Sequence, residues 1–240
     1  MYQFVCVKWG TKYPADYVNR LFNMISRQTH GEFVLYCLTD NSEGLHPAIR
    51  PLPIVDNSLA GWWHKLSLFQ SDFFGLQGDI LFTDLDVVIV GGLDEFFSVA
   101  PGAFLITRDL ATGAYNSSVF RFRIGSQAQI WESFQKQPDY VMKNFKGDQD
   151  WITETVTDAG LWPSSWVVSF KKQCNSRIPR SFGRIGVLLR QLGLMTVRGE
   201  AVIPDGARIV QFHGKPDPED VIDGPYDIYR QAPWIREYWR

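Results

Sequence analysis

The stretch "ILFTDLDVV", residues 80 to 88, carries an apolar run into two aspartates separated by a single leucine, Asp84 and Asp86. Residues two apart in an extended chain point to the same side. Two carboxylates held that close repel each other, and burial adds a desolvation cost. A divalent cation removes both penalties, and carboxylate oxygens suit Mg2+ or Mn2+ beside substrate phosphates. A pair of solvated turn caps is the bland alternative. Apolar residues on both sides count against it, because polar groups enclosed that way need a partner. In open α/β sheets, ligands bind beyond the carboxyl ends of the strands, where this pair falls.

Other residues could act with them. "RIVQFHGKP" is a strand-like run ending in His213, Gly214 and Lys215. An imidazole suits Mn2+, a glycine lets the backbone approach a phosphate, and a lysine adds a point charge. "GDQD" places Asp148 and Gln149 at a helix start, where Asp150 could serve as the cap and leave Asp148 to face a site. Asn116 and Ser117 open an apolar strand and can hydrogen-bond sugar hydroxyls. Lys65 lies on a predicted helix just before the aspartate strand. "VKWGTKYPADY" leaves the first strand, where a nucleotide often sits. There Trp9, Tyr13 or Tyr17 could stack on a base, with Gly10 and Thr11 beside them, and Asp40 ends the second strand. His64 receives no role.

Two enzyme classes use an apolar strand closing in DxD. One is the haloacid-dehalogenase-like phosphohydrolases, in which the first aspartate, here Asp84, is a nucleophile. Their DxD normally closes the first strand and needs a later acidic pair. Here it closes a third, and Ile152 stands where that pair wants an aspartate.

The other class carries the stronger resemblance. "HKLSLF", "LFTDLDVVIVGGLDEFF", "YNSSVFRF", "GDQDWI" and "VQFHGKPDP" occur in the order of five motifs of the nucleotide-sugar glycosyltransferases of GT-A fold. The chain resembles the glycogenin-like, family 8 type over most of its length. Leu85 replaces the usual alanine, Ser118 the usual glycine, and Asp217 the usual tryptophan after Lys-Pro. The resemblance implies a retaining transfer from a nucleotide sugar, with uridine diphosphate the expected carrier. It implies Mn2+ or Mg2+ held by Asp84, Asp86 and His213. It places Lys65, Asp84, Leu85, Gly214 and Lys215 on the donor, Asn116 and Ser117 on the sugar or acceptor, and Asp148 with Gln149 at the reacting carbon. The acceptor is open: a glycan, a lipid-linked precursor, a protein, a small molecule or, ranking lower, modified DNA. A binding module that kept the fold and lost turnover is the non-enzymatic alternative.

The bulk properties fit. The chain has 240 residues, 45% hydrophobic and 21% charged, with a net charge of -2. That balance suits a globular protein and lacks the basic excess of nonspecific nucleic-acid binders. Three scattered cysteines, Cys6, Cys37 and Cys174, read as reduced core residues in a cytoplasmic protein. No apolar run approaches the ~20 residues of a membrane span. Strands alternate with helices up to about residue 100, predicting a mixed, mostly parallel sheet with helices on both faces. One domain is expected over 1–240, with a nucleotide-binding half (1–100) and an acceptor and metal-completing half (101–240). The segment 62–74 is expected as a helix, 79–90 as one strand, and 226–240 as an exposed tail.

Overall fold

β1 (Tyr2–Lys8) and β2 (Phe33–Thr39) are apolar on both faces, the pattern of strands covered on two sides. They pair in parallel in the computed structural model, which describes residues 1–54, 56, 58–109, 112–175 and 199–240. β3 (Arg50–Pro53) adds to the outer edge of β2, and β4 (Asp79–Thr83) to the other side of β1. Two further strands that belong to this sheet are β6 (Leu105–Arg108) and β7 (Tyr115–Arg123), separated from β4 in sequence by β5 (Val87–Ile89). β8 (Gly160–Leu161) completes it. The order is β3-β2-β1-β4-β7-β6-β8. Only β7 runs against its neighbours, so the sheet is mixed and mostly parallel.

The chain divides into two compact units. The first comprises Met1–Phe22, Thr29–Leu85 and Leu93–Trp162 and holds the seven-stranded sheet. One face of that sheet presents Val5, Ile80, Phe82, Phe120 and Phe122 to a core shared with α3 (Ala128–Gln135), α4 (Pro138–Asn144) and α5 (Asp148–Thr155). α1 (Ala15–Gln28) precedes these in sequence and buries Tyr17, Val18, Leu21, Met24 and Ile25 at helical spacing. On the opposite face, Phe4 meets Phe97 edge-on beside α2 (Glu95–Ser98). Arg121 is wholly buried there. Its guanidinium donates to the carbonyls of Phe96 and Ala100, each at 2.6 Å, and so holds the turn in which Ala100 has φ +42°.

The second unit comprises Asn23–Gln28, Asp86–Gly92 and Pro163–Arg240. Its sheet orders β5, β10 (Ile209–Gln211) and β9 (Val167–Ser169), with β10 antiparallel to β5 and parallel to β9. Phe170 stacks on Phe212 at 4.4 Å.

Three expectations are corrected. The segment 79–90 is two strands in two sheets: β4 stops at Thr83, Asp84 N–H turns to the Ser118 carbonyl at 2.8 Å, and β5 begins at Val87. The C-terminal segment is no exposed tail, since Ala232, Ile235 and Trp239 are buried around a short helix, Ile235–Tyr238. The helix expected over 62–74 is shorter, a 3-10 helix at Gly61–Phe69. Its residues repeat every three positions. Trp63, Leu66 and Phe69 therefore form one buried row, and packing that row fixes the tighter winding.

Candidate active site

The threefold repeat puts Trp62 and Lys65 in another row of the 3-10 helix. Lys65 Nζ lies 2.9 Å from Asp84 Oδ1 and 3.5 Å from Asp148 Oδ2. Ser117 Oγ donates to Asp148 Oδ2 at 2.6 Å and is 3.5 Å from Lys65 Nζ. Four residues from four distant parts of the chain thus meet, all within the first unit. β4 delivers Asp84, β7 delivers Ser117, and α5 delivers Asp148 from its first residue.

Asp148 does not cap α5. The preceding residue is Gly147, and Asp150 reaches back instead to accept from the Lys146 N–H at 3.2 Å. Asp148 is 4% exposed, and burial raises its pKa above the ordinary aspartate value of 3.8. Lys65 and the Ser117 hydrogen bond pull it down, Asp84 adds to the rise, and desolvation dominates. A Cβ on Gly147 would come 3.0 Å from Trp62 Nε1, so glycine there lets Trp62 rest against the start of α5.

Asn116 is buried and its Oδ1 accepts from the Ser118 N–H at 3.1 Å, shaping the β7 start. Gln149 follows Asp148 in the first turn of α5 and is partly exposed. Leu85 is buried between the two aspartates.

The nucleotide candidates lie in the first unit as well. Asp40 Oδ2 accepts from Gly10 N–H at 3.0 Å, pinning the loop after β1, where Gly10 has φ +63°. Trp9 is 41% exposed and its ring centroid is 5.5 Å from that of His64. Tyr13 and Tyr17 pack on each other at 4.7 Å, and Lys12 lies over Tyr13. Tyr17 is buried on α1 and so has no open face. Thr11 is exposed.

In the second unit, Phe212 N–H donates to the Asp86 carbonyl at 2.9 Å, which sets Asp86 and His213 at neighbouring strand ends. His213 Nε2 is 3.0 Å from Ser169 Oγ, and Lys171 Nζ donates to the His213 carbonyl at 2.5 Å. Lys171 is drawn upward in pKa by Asp86 and Asp217 against a larger lowering by burial. Ser169 and Lys171 were invisible to sequence reasoning, since they lie some forty residues from His213 with no motif between. Gly214 has φ +60°, and Lys215 binds Asp217 at 3.0 Å and Asp220 at 2.8 Å.

Among the described residues no group of three or more His, Cys, Asp or Glu side chains is gathered as a metal site. Asp84 belongs to the first unit and Asp86 with His213 to the second. The donor types, two carboxylates and one imidazole, do suit Mn2+ or Mg2+, and two of the three come from adjacent strand ends.

No protein-family model matches the chain, and no curated protein matches it by sequence. Solved structures do. The chain is similar to the galactosyltransferase LgtC in complex with donor and acceptor sugar analogs, with a TM-score of 0.61 and 14% identity over 90% of this chain and 88% of that one. It is similar to the glycosyltransferase GlyE of Streptococcus pneumoniae TIGR4, with a TM-score of 0.64 and 12% identity over 99% of this chain and 60% of that one. The bifunctional WbbM gives a TM-score of 0.62 and 13% identity, and the chain spans 50% of its length. The architecture is the GT-A fold of these glycosyltransferases. No helix among the described residues is long and apolar enough to cross a membrane.

Proposed function

We propose that the protein is a glycosyltransferase that moves a hexosyl group from a nucleotide sugar, with a uridine diphosphate carrier, to an acceptor, as family 8 enzymes do. The observation that carries this reading is the meeting of Lys65, Asp84, Ser117 and Asp148 beside the strand ends of the sheet. The donor class is further supported by the sugar analogs named for LgtC, which shares the fold.

Each group has a task in that reaction. Breaking the sugar–phosphate bond develops positive charge on the sugar ring and negative charge on the departing diphosphate. Asp148, buried and carboxylate-bearing, stabilises the sugar cation electrostatically. Ser117 holds Asp148 in one rotamer by its short hydrogen bond, and Asn116 offers an amide to sugar hydroxyls. Lys65 keeps Asp84 and Asp148 from repelling each other before the donor arrives and then faces its phosphate or sugar. Gly214 and Lys215 meet the diphosphate. Asp84, Asp86 and His213 would hold Mn2+ or Mg2+, which supplies Lewis-acid neutralisation of the leaving group. Retention of anomeric configuration fits a carboxylate on the reacting face, and Asp148 is the residue in that role.

The engagement of Asp84 by Lys65 and the GT-A strand order weigh against a phosphohydrolase with Asp84 as nucleophile. The test is release of UDP from UDP-sugars, with and without Mn2+ and with a panel of simple sugar acceptors. Turnover that Asp148→Asn abolishes supports the assignment. Phosphate release from a monoester, with no UDP formed from any UDP-sugar, would overturn it.

A further inference from the structure

Trp62 is 54% exposed, although tryptophan is highly buried on average. It stands three positions before Lys65 in the 3-10 helix Gly61–Phe69, so the two share a row and lie one turn, about 6 Å, apart along the axis. Lys65 is buried at the inner end of that row, against Asp84 and Asp148. The row thus leads from the acid–lysine cluster out to solvent, and Trp62 is its outer end.

The start of α5 seats the indole. A Cβ on Gly147 would come 3.0 Å from its Nε1, 3.1 Å from Cδ1 and 3.5 Å from Cε2, so the five-membered ring is the part that meets the backbone there. Gly147 has φ 178°, so this is not a left-handed position that calls for glycine. What the missing side chain gives is room for the indole, one residue before the buried carboxylate of Asp148. An exposed ring held between its own helix and the start of α5 is already ordered, which lowers the entropy lost when a ligand settles on it.

We propose that Trp62 is the stacking platform for the acceptor, and that the acceptor is a pyranoside. This inference rests on the transferase reading above and names its acceptor class. In that reading Lys65 and Asp84 face the donor at the inner end of the row and Asp148 faces its anomeric carbon, so the second substrate comes from the solvent end. An indole offers a flat apolar face with a polar edge. The C–H bonds on one side of a pyranose ring make an apolar face of matching size, and its hydroxyls project around the rim, where one can be turned toward Asp148. A serine on a peptide or an open-chain polyol has no such face.

Release of UDP from UDP-sugars tests it, measured with methyl glucoside, methyl galactoside, methyl N-acetylglucosaminide and lactose, and with glycerol and a serine-containing peptide as acceptors that lack a ring. At least one pyranoside should raise the rate, and glycerol and the peptide should not. Trp62→Ala should raise KM for that pyranoside by about three- to tenfold, the scale of an aromatic contact, with kcat little changed. Trp62→Phe should recover most of the loss. Gly147→Ala, which keeps the indole but displaces it, should raise KM as well. An unchanged KM in a folded Trp62→Ala protein, a fall in kcat alone, or a panel in which no pyranoside stimulates overturns the platform and leaves the transferase reading standing. Absence of UDP from every UDP-sugar overturns both. Should Trp62→Ala not fold, the pyranosides titrated with UDP into the parent labelled with 15N-tryptophan must shift the indole signal that Trp62→Phe removes, and an unchanged spectrum with all of them rejects the proposal.

Discussion

Lys65 Nζ lies 2.9 Å from Asp84 Oδ1, so one carboxylate of the DxD pair is already neutralised from within the chain. Lys65→Met would leave Asp84 and Asp148 facing each other without a cation. Charge-assisted hydrogen bonds contribute about 1.5–3 kcal/mol, so affinity for a UDP-sugar should fall roughly ten- to a hundredfold. Titration calorimetry measures it, and Lys65→Arg should restore part of the loss.

Asp148→Asn keeps the shape of the side chain and its contact with Ser117 but removes the charge. kcat should drop by about a hundredfold or more, with little change in KM, because the charge matters where the sugar cation forms. Steady-state UDP release reads both constants. A variant with normal turnover would reduce Asp148 to a packing residue of α5.

The same residue gives a pH-dependent stability signature. Its folded pKa is raised by burial above the ordinary 3.8. Between the two values the folded protein holds more protons than the unfolded chain, so Asp148 costs stability as pH rises through that window, and the cost stays constant above it. Asp148→Asn escapes that cost. The Tm of the variant minus that of the parent should therefore increase from pH 4 upward and then level off, as followed by circular dichroism.

Arg121 has no exposed surface, and its guanidinium holds the carbonyls of Phe96 and Ala100. Arg121→Ala opens a cavity and removes the guanidinium donors from those carbonyls. A loss of about 3 kcal/mol or more is expected, read from urea denaturation at constant m-value. Arg121→Lys should recover only part of it, since one ammonium cannot span both carbonyls.

Lys215 is held by Asp217 and Asp220 in a surface cluster, and the two carboxylates raise its pKa by hydrogen bonding. If Lys215 serves the diphosphate, these carboxylates compete with it. Asp217→Asn should tighten UDP binding by about two- to fivefold, the scale of an exposed pair, and the gain should fade in high salt.

The sequence made some of this legible and hid the rest for physical reasons. The alternation of strands and helices and the mostly parallel sheet are local and periodic patterns, and the fold carries them. The three cysteines are free and buried, as expected. The helix read over 62–74 is present as the 3-10 helix Gly61–Phe69, and its winding was not legible because an apolar row every three residues resembles any helical stripe. The apolar run through Asp84 and Asp86 looked like one strand because nothing local announces a change of sheet. The link from Lys65 to Ser117 and Asp148 spans 52 and 83 positions, so only the family resemblance hinted at it. For Ser169 and Lys171 even that hint was lacking.

Trp62 and Trp9 are the exposed members of nine tryptophans, at 54% and 41%. Trp62 rests on Gly147 beside Asp148, and Trp9 borders His64. The indoles open to solvent thus flank the acid–lysine cluster and the loop after β1 where the nucleotide is expected. An aqueous quencher such as iodide would reach them before it reached the buried ones. The protein therefore carries its own optical reporter, in which loss of quenching on adding a nucleotide or an acceptor registers occupancy without a label. Trp9→Phe and Trp62→Phe would assign the signal to one side of the 3-10 helix or the other.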